Sequence, residues 1–383
     1  MKNQMKQVYV LTFLLTSLQA SLGCSNPMAA ATHSDRAQGE ATVSRFDVNK
    51  YALNKVVCDP LGGGTPVAYD QGLHAQLFSL KSGAPVPHNV GQMVGAGALS
   101  TQDLFFSQIF VPTRLFNEGF PTQTGGLIQN DAGQTLIEYF GLRFEGGLRL
   151  GDQEDEGDYE LALLSDDGAI LSVSTPGAES GFTTVVQNDG DHPTQMGCGQ
   201  TLTMTHGSQF NLRLDYYQGP RYHIALIPMW RKVSAGGASE PLCGQSGNAL
   251  FFDYNNHSAP LPAYSDLLAR GWKPLTQDNF RIPDSASYNP CATGTVPVIS
   301  SFQAAATGEG YAHVTWTTDI PSTTQVLYTD LATSIETMTT ANNLLTTAHS
   351  VFVPMAYGHS YNMQGVSISA DLGKSLSAVL LVK

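Results

Sequence analysis

The run Tyr159-Glu-Leu-Ala-Leu-Leu-Ser165-Asp166-Asp167-Gly168-Ala-Ile-Leu-Ser-Val173 constrains the fold more than any other stretch of this chain. Two apolar, strand-like segments are interrupted by two adjacent carboxylates and a glycine. Side chains alternate faces along an extended backbone, so neighbouring aspartates converge on one point only where the chain bends. Gly168 permits such a bend. Two convergent hard oxygen ligands favour Ca²⁺, whose coordination sphere is completed by carbonyls, water or a sugar hydroxyl. The same residues also read as an acidic Asp-Gly turn between two strands.

Periodicity extends the β reading. In Phe210-Asn-Leu-Arg-Leu-Asp215 apolar and polar residues alternate, which puts Phe210, Leu212 and Leu214 on one face and Asn211, Arg213 and Asp215 on the other. A slip of one residue would bury the polar set. Phe144 and Trp230 are expected to be aromatic core residues. Charged residues make up only 13% of the chain, a balance suited to short strands joined by turns. The predicted class is all-β, and 383 residues leave room for more than one domain. A net charge of −13 provides no basic footprint, which argues against nucleic acid and against electrostatic docking on anionic lipid.

Ser165-Asp-Asp-Gly168 following Gly157-Asp-Tyr-Glu-Leu161 resembles the central motif of the protective-antigen-type domain, a β-sandwich found in bacterial toxins, glycosidases and the flocculin adhesins of yeast. Val185-Val-Gln-Asn188-Asp-Gly-Asp-His192 resembles that family's following loop. Leu202 to Gly207, Phe210 to Gly219 and Ile224 to Trp230 are similar to its closing strands, with Leu136 to Phe144 as an early strand. The resemblance covers roughly residues 95–232. It implies that Asp166 and Asp167, joined by a strained cis peptide bond, hold Ca²⁺ and through it a sugar. The remaining ligands are expected from Gln218, Pro220 and Tyr222 in the loop Tyr217 to Tyr222. Gln218 departs from the asparagine usual there, so its longer amide must fold back to reach the ion. Asn188, Asp189 and His192, with Asp191, read either as accessory ligand contacts or as a turn braced by side-chain-to-backbone bonds.

Lys2 and Lys6 precede the apolar run Val8 to Leu18, too short to span a bilayer as a mature helix but suited to a signal peptide. Ser21-Leu-Gly-Cys24 resembles a bacterial lipoprotein signal, with Ser21 where a branched apolar residue is usual. It implies lipidation of Cys24 and makes this lipid the expected membrane contact; the alternative is plain cleavage near Ala20 or at Ala29 to Ala31. The chain is expected to be exported, either as an outer-membrane or cell-surface lipoprotein or into the periplasm. Of five cysteines, lipidation would leave Cys58, Cys198, Cys243 and Cys291, an even number suited to two disulfides. Three pairings are open; pairing neighbours in chain order, Cys58 with Cys198 and Cys243 with Cys291, is the simplest.

Six strand candidates follow residue 295: Pro297–Phe302, Ala312–Asp319, Thr324–Tyr328, His349–Val353, Tyr361–Ala370 and Ser377–Val382. Their order, with Trp316 early and Tyr361 late, resembles a fibronectin type III domain, which implies a spacer role. The expected organisation is a signal peptide over 1–23, a flexible tether over 24–55, and a protective-antigen-type sandwich with an irregular Gly/Pro-rich lead-in over 56–239. A loop-rich segment over 240–294, containing a short helix that ends at Gly271, and the fibronectin-like domain over 295–383 complete it.

No Gly-x-Ser-x-Gly motif accompanies His192, and adjacent aspartates sit too close for the acid and base of a glycosidase. Catalysis is therefore the weaker expectation. The leading one is a surface-anchored, Ca²⁺-dependent module that binds a glycan or cell-surface polysaccharide as an adhesin or recognition protein. The rival is a metal-free scaffold of the cell envelope that binds protein, and a third is an accessory domain of a hydrolase system.

Overall fold

Leu161, Ala162, Leu163 and Leu164 are all fully buried although they follow one another along the single strand Gly157–Asp166. Alternation predicts that such a strand has apolar surroundings on both faces. On one face Leu161 and Leu163 meet a core they share with Phe144, Leu171, Leu212, Leu214 and Trp230. On the other, Ala162 and Leu164 pack with Phe251, Phe252, Tyr264, Leu267 and Trp272. The strand thus lies in the middle layer of three: a large sheet, a small sheet, and the segment 240–275 laid over the small sheet's outer face.

The computed structural model describes residues 41–62, 64, 68–175, 181–233 and 239–383, which form one unit. The expected signal segment and Cys24 lie outside the described residues. In the nine-stranded sheet the order is Thr183–Asn188, Ala169–Ser174, Gln209–Gln218, Phe140–Arg149, Leu73–Ser79, Asp103–Phe106 and Val56–Cys58. The five-stranded sheet runs Gln195–Met204, Gly157–Asp166, Ile224–Lys232 and Lys273–Pro274, with Val111–Arg114 pairing Ile224–Lys232. Phe144 and Trp230 are fully buried, as expected. The chain is all-β in class: the only α-helices among the described residues are Val90–Ala96 and Pro262–Ala269.

Several expectations change. Residues 41–55, expected to belong to a flexible tether over 24–55, are part of the folded unit, and the rest of that expected tether lies outside the described residues. Thr42–Val43 pairs with Leu344 and Leu345, and Val48 and Leu53 are buried in short 3-10 turns. The lead-in is less irregular than its Gly/Pro content implied, because Leu73–Ser79 is an interior strand of the large sheet, between Phe140–Arg149 and Asp103–Phe106. The short helix expected to end at Gly271 is Pro262–Ala269, with Pro262 in its first turn, where the missing N–H costs nothing.

The disulfides join Cys58 to Cys291 and Cys198 to Cys243, which corrects the simplest pairing and the loop expected between Cys243 and Cys291. The reason lies in backbone pairing. Gly244 N donates to Met196 O (2.7 Å) and Met196 N to Gln245 O (3.1 Å), which draws Cys243 alongside Cys198. Residues 282–291 instead return past the lead-in, with Ile282 N on Asp70 O and Asn289 N on Tyr69 O, and so reach Cys58.

The C-terminal part is an eight-stranded sheet system around Trp316, Val314, Val326, Val353 and Met363. Two of the six expected strands are one: Tyr311–Asp330 runs through Ile320-Pro321 without ending. Its first half pairs with Ile299–Ala306 and Asn342–Pro354, its second with Ile335–Met338 and Tyr361–Ile368.

Candidate functional site

Asp166 ends the strand Gly157–Asp166, and Ala169–Ser174 starts two residues after Asp167, so the acidic pair sits at the turn where the chain passes from the small sheet to the large one. The peptide bond between the two aspartates is cis. Gly168 is required by its surroundings: a Cβ there would lie 2.7 Å from both Asp189 Oδ1 and Gly190 N. Asp166 and Asp167 retain only 6% and 8% of their exposure, and that remainder faces an open pocket of about 310 Å³. His192, Pro193, Pro220, Tyr222, His223 and Asn248 line the rest of it.

The carboxylates are held individually. Asp167 Oδ2 accepts from Gly219 N at 2.8 Å and Oδ1 from His192 N at 3.3 Å. Thr194 Oγ1 lies 3.5 Å from Asp166 Oδ2 and is itself anchored on Thr113 Oγ1 at 2.8 Å. The buried Tyr216 hydroxyl shares its proton between the Asp166 carbonyl, at 2.5 Å, and Gln218 Oε1. Among the described residues no lysine, arginine or histidine side chain forms an ion pair with either carboxylate. Burial and then the neighbouring Asp167 charge push the Asp166 carboxyl up to about 8. Burial raises Asp167 as well, against the pull of the Gly219 and His192 N–H groups.

Two buried carboxylates without a cationic partner are costly as a dianion, and such a pair is relieved by a proton or by a bound cation. An open pocket onto which both carboxylates face fits the second remedy, and carboxylate oxygens suit a hard divalent cation. The residues present therefore fit Ca²⁺ at Asp166 and Asp167.

The other expected site residues are placed differently. Gln218 is 1% exposed and turns its oxygen to Tyr216; its Nε2 donates to Pro220 O (3.0 Å) and His223 O (2.9 Å). It braces the loop beneath the pocket and presents no oxygen to it. Pro220 O accepts that bond and another from Tyr222 N, whereas Tyr222 is 69% exposed at the rim.

Asn188 is buried and fully engaged: Nδ2 donates to Ser165 Oγ and Gln195 O, and Oδ1 accepts from Gln195 Nε2. Asp189 Oδ1 accepts from Val90 N and Gly190 N. Both side chains are held by bonds within the protein. His192 lines the pocket while its ring meets Pro193 O and Asn188 O.

Sequence reasoning missed Thr194, Tyr216, His223 and Asn248. Tyr216 and His223 lie within or beside expected strands, and Thr194 follows the expected loop Val185 to His192; only their placement around Asp166 in the fold marks them. Asn248 lies in the loop-rich segment, for which the sequence offered no functional account.

No protein-family model matches the chain, and no curated protein matches it in sequence. Among solved structures it is similar to a PA14 sugar-binding domain from an RTX adhesin, with 16% identity, 45% of this chain and 94% of that one covered, and a TM-score of 0.28. It is similar to the epithelial adhesin 6 A domain from Candida glabrata in complex with Galb1-3GlcNAc, with 14% identity, 55% and 98% covered, and a TM-score of 0.31. An anti-sigma factor domain-containing protein shares 11% identity, with 80% and 96% covered and a TM-score of 0.31.

Proposed function

We propose that this chain is a recognition module whose pocket at Asp166 and Asp167 holds Ca²⁺ and binds a glycan. The observation that carries the reading is the pair of adjacent, buried carboxylates that forms no ion pair with a lysine, arginine or histidine among the described residues and opens onto a rimmed pocket. Bound there, the ion supplies the charge that lets neighbouring sugar hydroxyls act as ligands. The remaining work belongs to the protein. Gly219 N and His192 N fix the orientation of the Asp167 carboxylate, and Tyr216 and Thr194 fix Asp166. The exposed Tyr222 ring offers a flat apolar face of the kind on which a sugar ring packs. His192 and His223 add polar groups at the same rim.

Export and a lipid on Cys24 complete the proposal, with the C-terminal, fibronectin-like part as its support. What favours export is the apolar run Val8 to Leu18 together with two disulfides, which persist in oxidising compartments.

The test is a glycan-array screen of residues 41–383 with Ca²⁺ and with EDTA, alongside melting curves in both. Glycan binding and a raised Tm in Ca²⁺, both lost in Asp167→Ala, support the proposal. Identical melting and no glycan bound would leave a metal-free, protein-binding scaffold as the better reading.

A further inference from the structure

The loop-rich segment supplies part of the pocket. Residues 244–247 run along the start of the strand Gln195–Met204: Gly244 N donates to Met196 O, Met196 N to Gln245 O, Gln195 bridges Ser246, and Gly247 N donates to Thr194 O at 2.9 Å. The disulfide Cys198–Cys243 clamps the near end of this ladder. Its far end is Asn248, one residue beyond the bond to Thr194, and Thr194 is the residue whose hydroxyl flanks the Asp166 carboxylate. Asn248 therefore lines the same pocket as Asp166 and Asp167. Its amide oxygen is buried and has no hydrogen-bond donor. A buried carbonyl oxygen left unpaired costs free energy unless something electropositive meets it.

Behind Asn248 the wall is braced. Tyr254 packs edge-on against the pocket residue His223 with ring centroids 4.4 Å apart, and Ser258 Oγ donates to Thr113 O. Gln218, the amide expected to serve the ion, is committed to Tyr216 and to two loop carbonyls. We infer that Asn248 Oδ1 is the side-chain amide ligand of the cation held by Asp166 and Asp167, delivered from a disulfide-clamped segment outside the sandwich. This inference rests on the cation reading above. It assigns the segment 240–250 a binding role beside the acidic pair.

Calorimetric titration of residues 41–383 with CaCl₂ alone tests it, using the wild type, Asp166→Asn, Asn248→Ala and Asn248→Asp, with melting in EDTA as the control for folding. The expected result is binding by the wild type, none by Asp166→Asn, and a loss on the order of tenfold or more in Asn248→Ala. Asn248→Asp, which keeps an oxygen and adds charge, should bind at least as tightly as the wild type. Wild-type affinity in Asn248→Ala, with binding lost in Asp166→Asn, would overturn the role of Asn248 and leave the carboxylate site standing. No binding by the wild type would overturn both. Should Asn248→Ala melt early in EDTA, Asn248→Asp decides: weaker binding than wild type in a stably folded Asp variant rejects the ligand role.

Discussion

At the scale of single residues the pocket's chemistry depends on two aspartates that cannot both ionise cheaply. Without a cation the Asp166 carboxyl is pushed up to about 8, against about 3.8 for the unperturbed group. A raised carboxyl means that the folded state binds the proton more tightly than the unfolded one. The associated stability is therefore complete below about pH 4 and is lost as pH rises through about 8. Ca²⁺ requires the ionised pair, so protons compete with it over that window. The difference in Tm between Ca²⁺ and EDTA should be small at about pH 6 and grow towards about pH 8.5, and in Asp166→Asn it should stay flat. A difference that shrinks over this range would contradict a cation on these carboxylates. A second prediction concerns Gly168. Because a Cβ there would collide with the backbone of Gly190 and with Asp189 Oδ1, Gly168→Ala should cost about 1 to 3 kcal/mol in chemical denaturation and weaken Ca²⁺ binding. The acidic pair was legible in the sequence because adjacency and a following glycine are local signals. Asn188 and Gln218 misled because their chemistry is ligand-like, while in the fold their amides are taken up by Gln195, Tyr216 and His223.

Among the elements, the strand Gly157–Asp166 carries the most information. An alternating strand tolerates polar or small residues on its outer face, but over Leu161 to Leu164 this one has no outer face. Leu163→Ala opens a cavity in the core between the sheets and Leu164→Ala one beneath residues 240–275, so each should cost about 2 to 5 kcal/mol. Unfolding titrations in which Leu164→Ala costs under about 1 kcal/mol would show that the covering segment does not pack there as described. The same covering segment depends on Cys198–Cys243, which closes 45 residues. Replacing both cysteines with serine should remove about 4 kcal/mol in the chain-entropy account and weaken Ca²⁺ binding by loosening Asn248. The apolar run Leu161 to Leu164 read as strand in the sequence, and its burial on both faces is shown by the structure. What covered it was not legible, because residues 240–294 are punctuated by prolines and build their contacts from irregular backbone. Leu73–Ser79 was missed for a related reason: its alternation is visible, but the glycines and prolines on either side dominate the local pattern.

The whole molecule joins its N-terminal segment to both of its β parts. Thr42–Val43 adds to the C-terminal sheet, and Asn49 bonds Ala341 in both directions, Nδ2 to O and N to Oδ1. Val48 is buried in a cluster with Tyr288 and Ala292 from the end of the first part and Ala341, Ile368 and Leu372 from the second. A few residues later Cys58 is tied to Cys291, so one short stretch of chain is fastened to both sides of the junction. Flexible spacers do not share a core with what they carry, so the two parts are expected to unfold together. Calorimetry of residues 41–383 should give a single transition whose van't Hoff and calorimetric enthalpies agree. Val48→Asp places an unpaired carboxylate in the shared cluster, where its desolvation is uncompensated. That variant should split the transition in two and lower the first, while the Ca²⁺-dependent shift stays with whichever transition contains Asp166 and Asp167. Two separate transitions already present in the wild type would show that the buried cluster does not couple the parts, and would return residues 41–55 to the role of a passive strap.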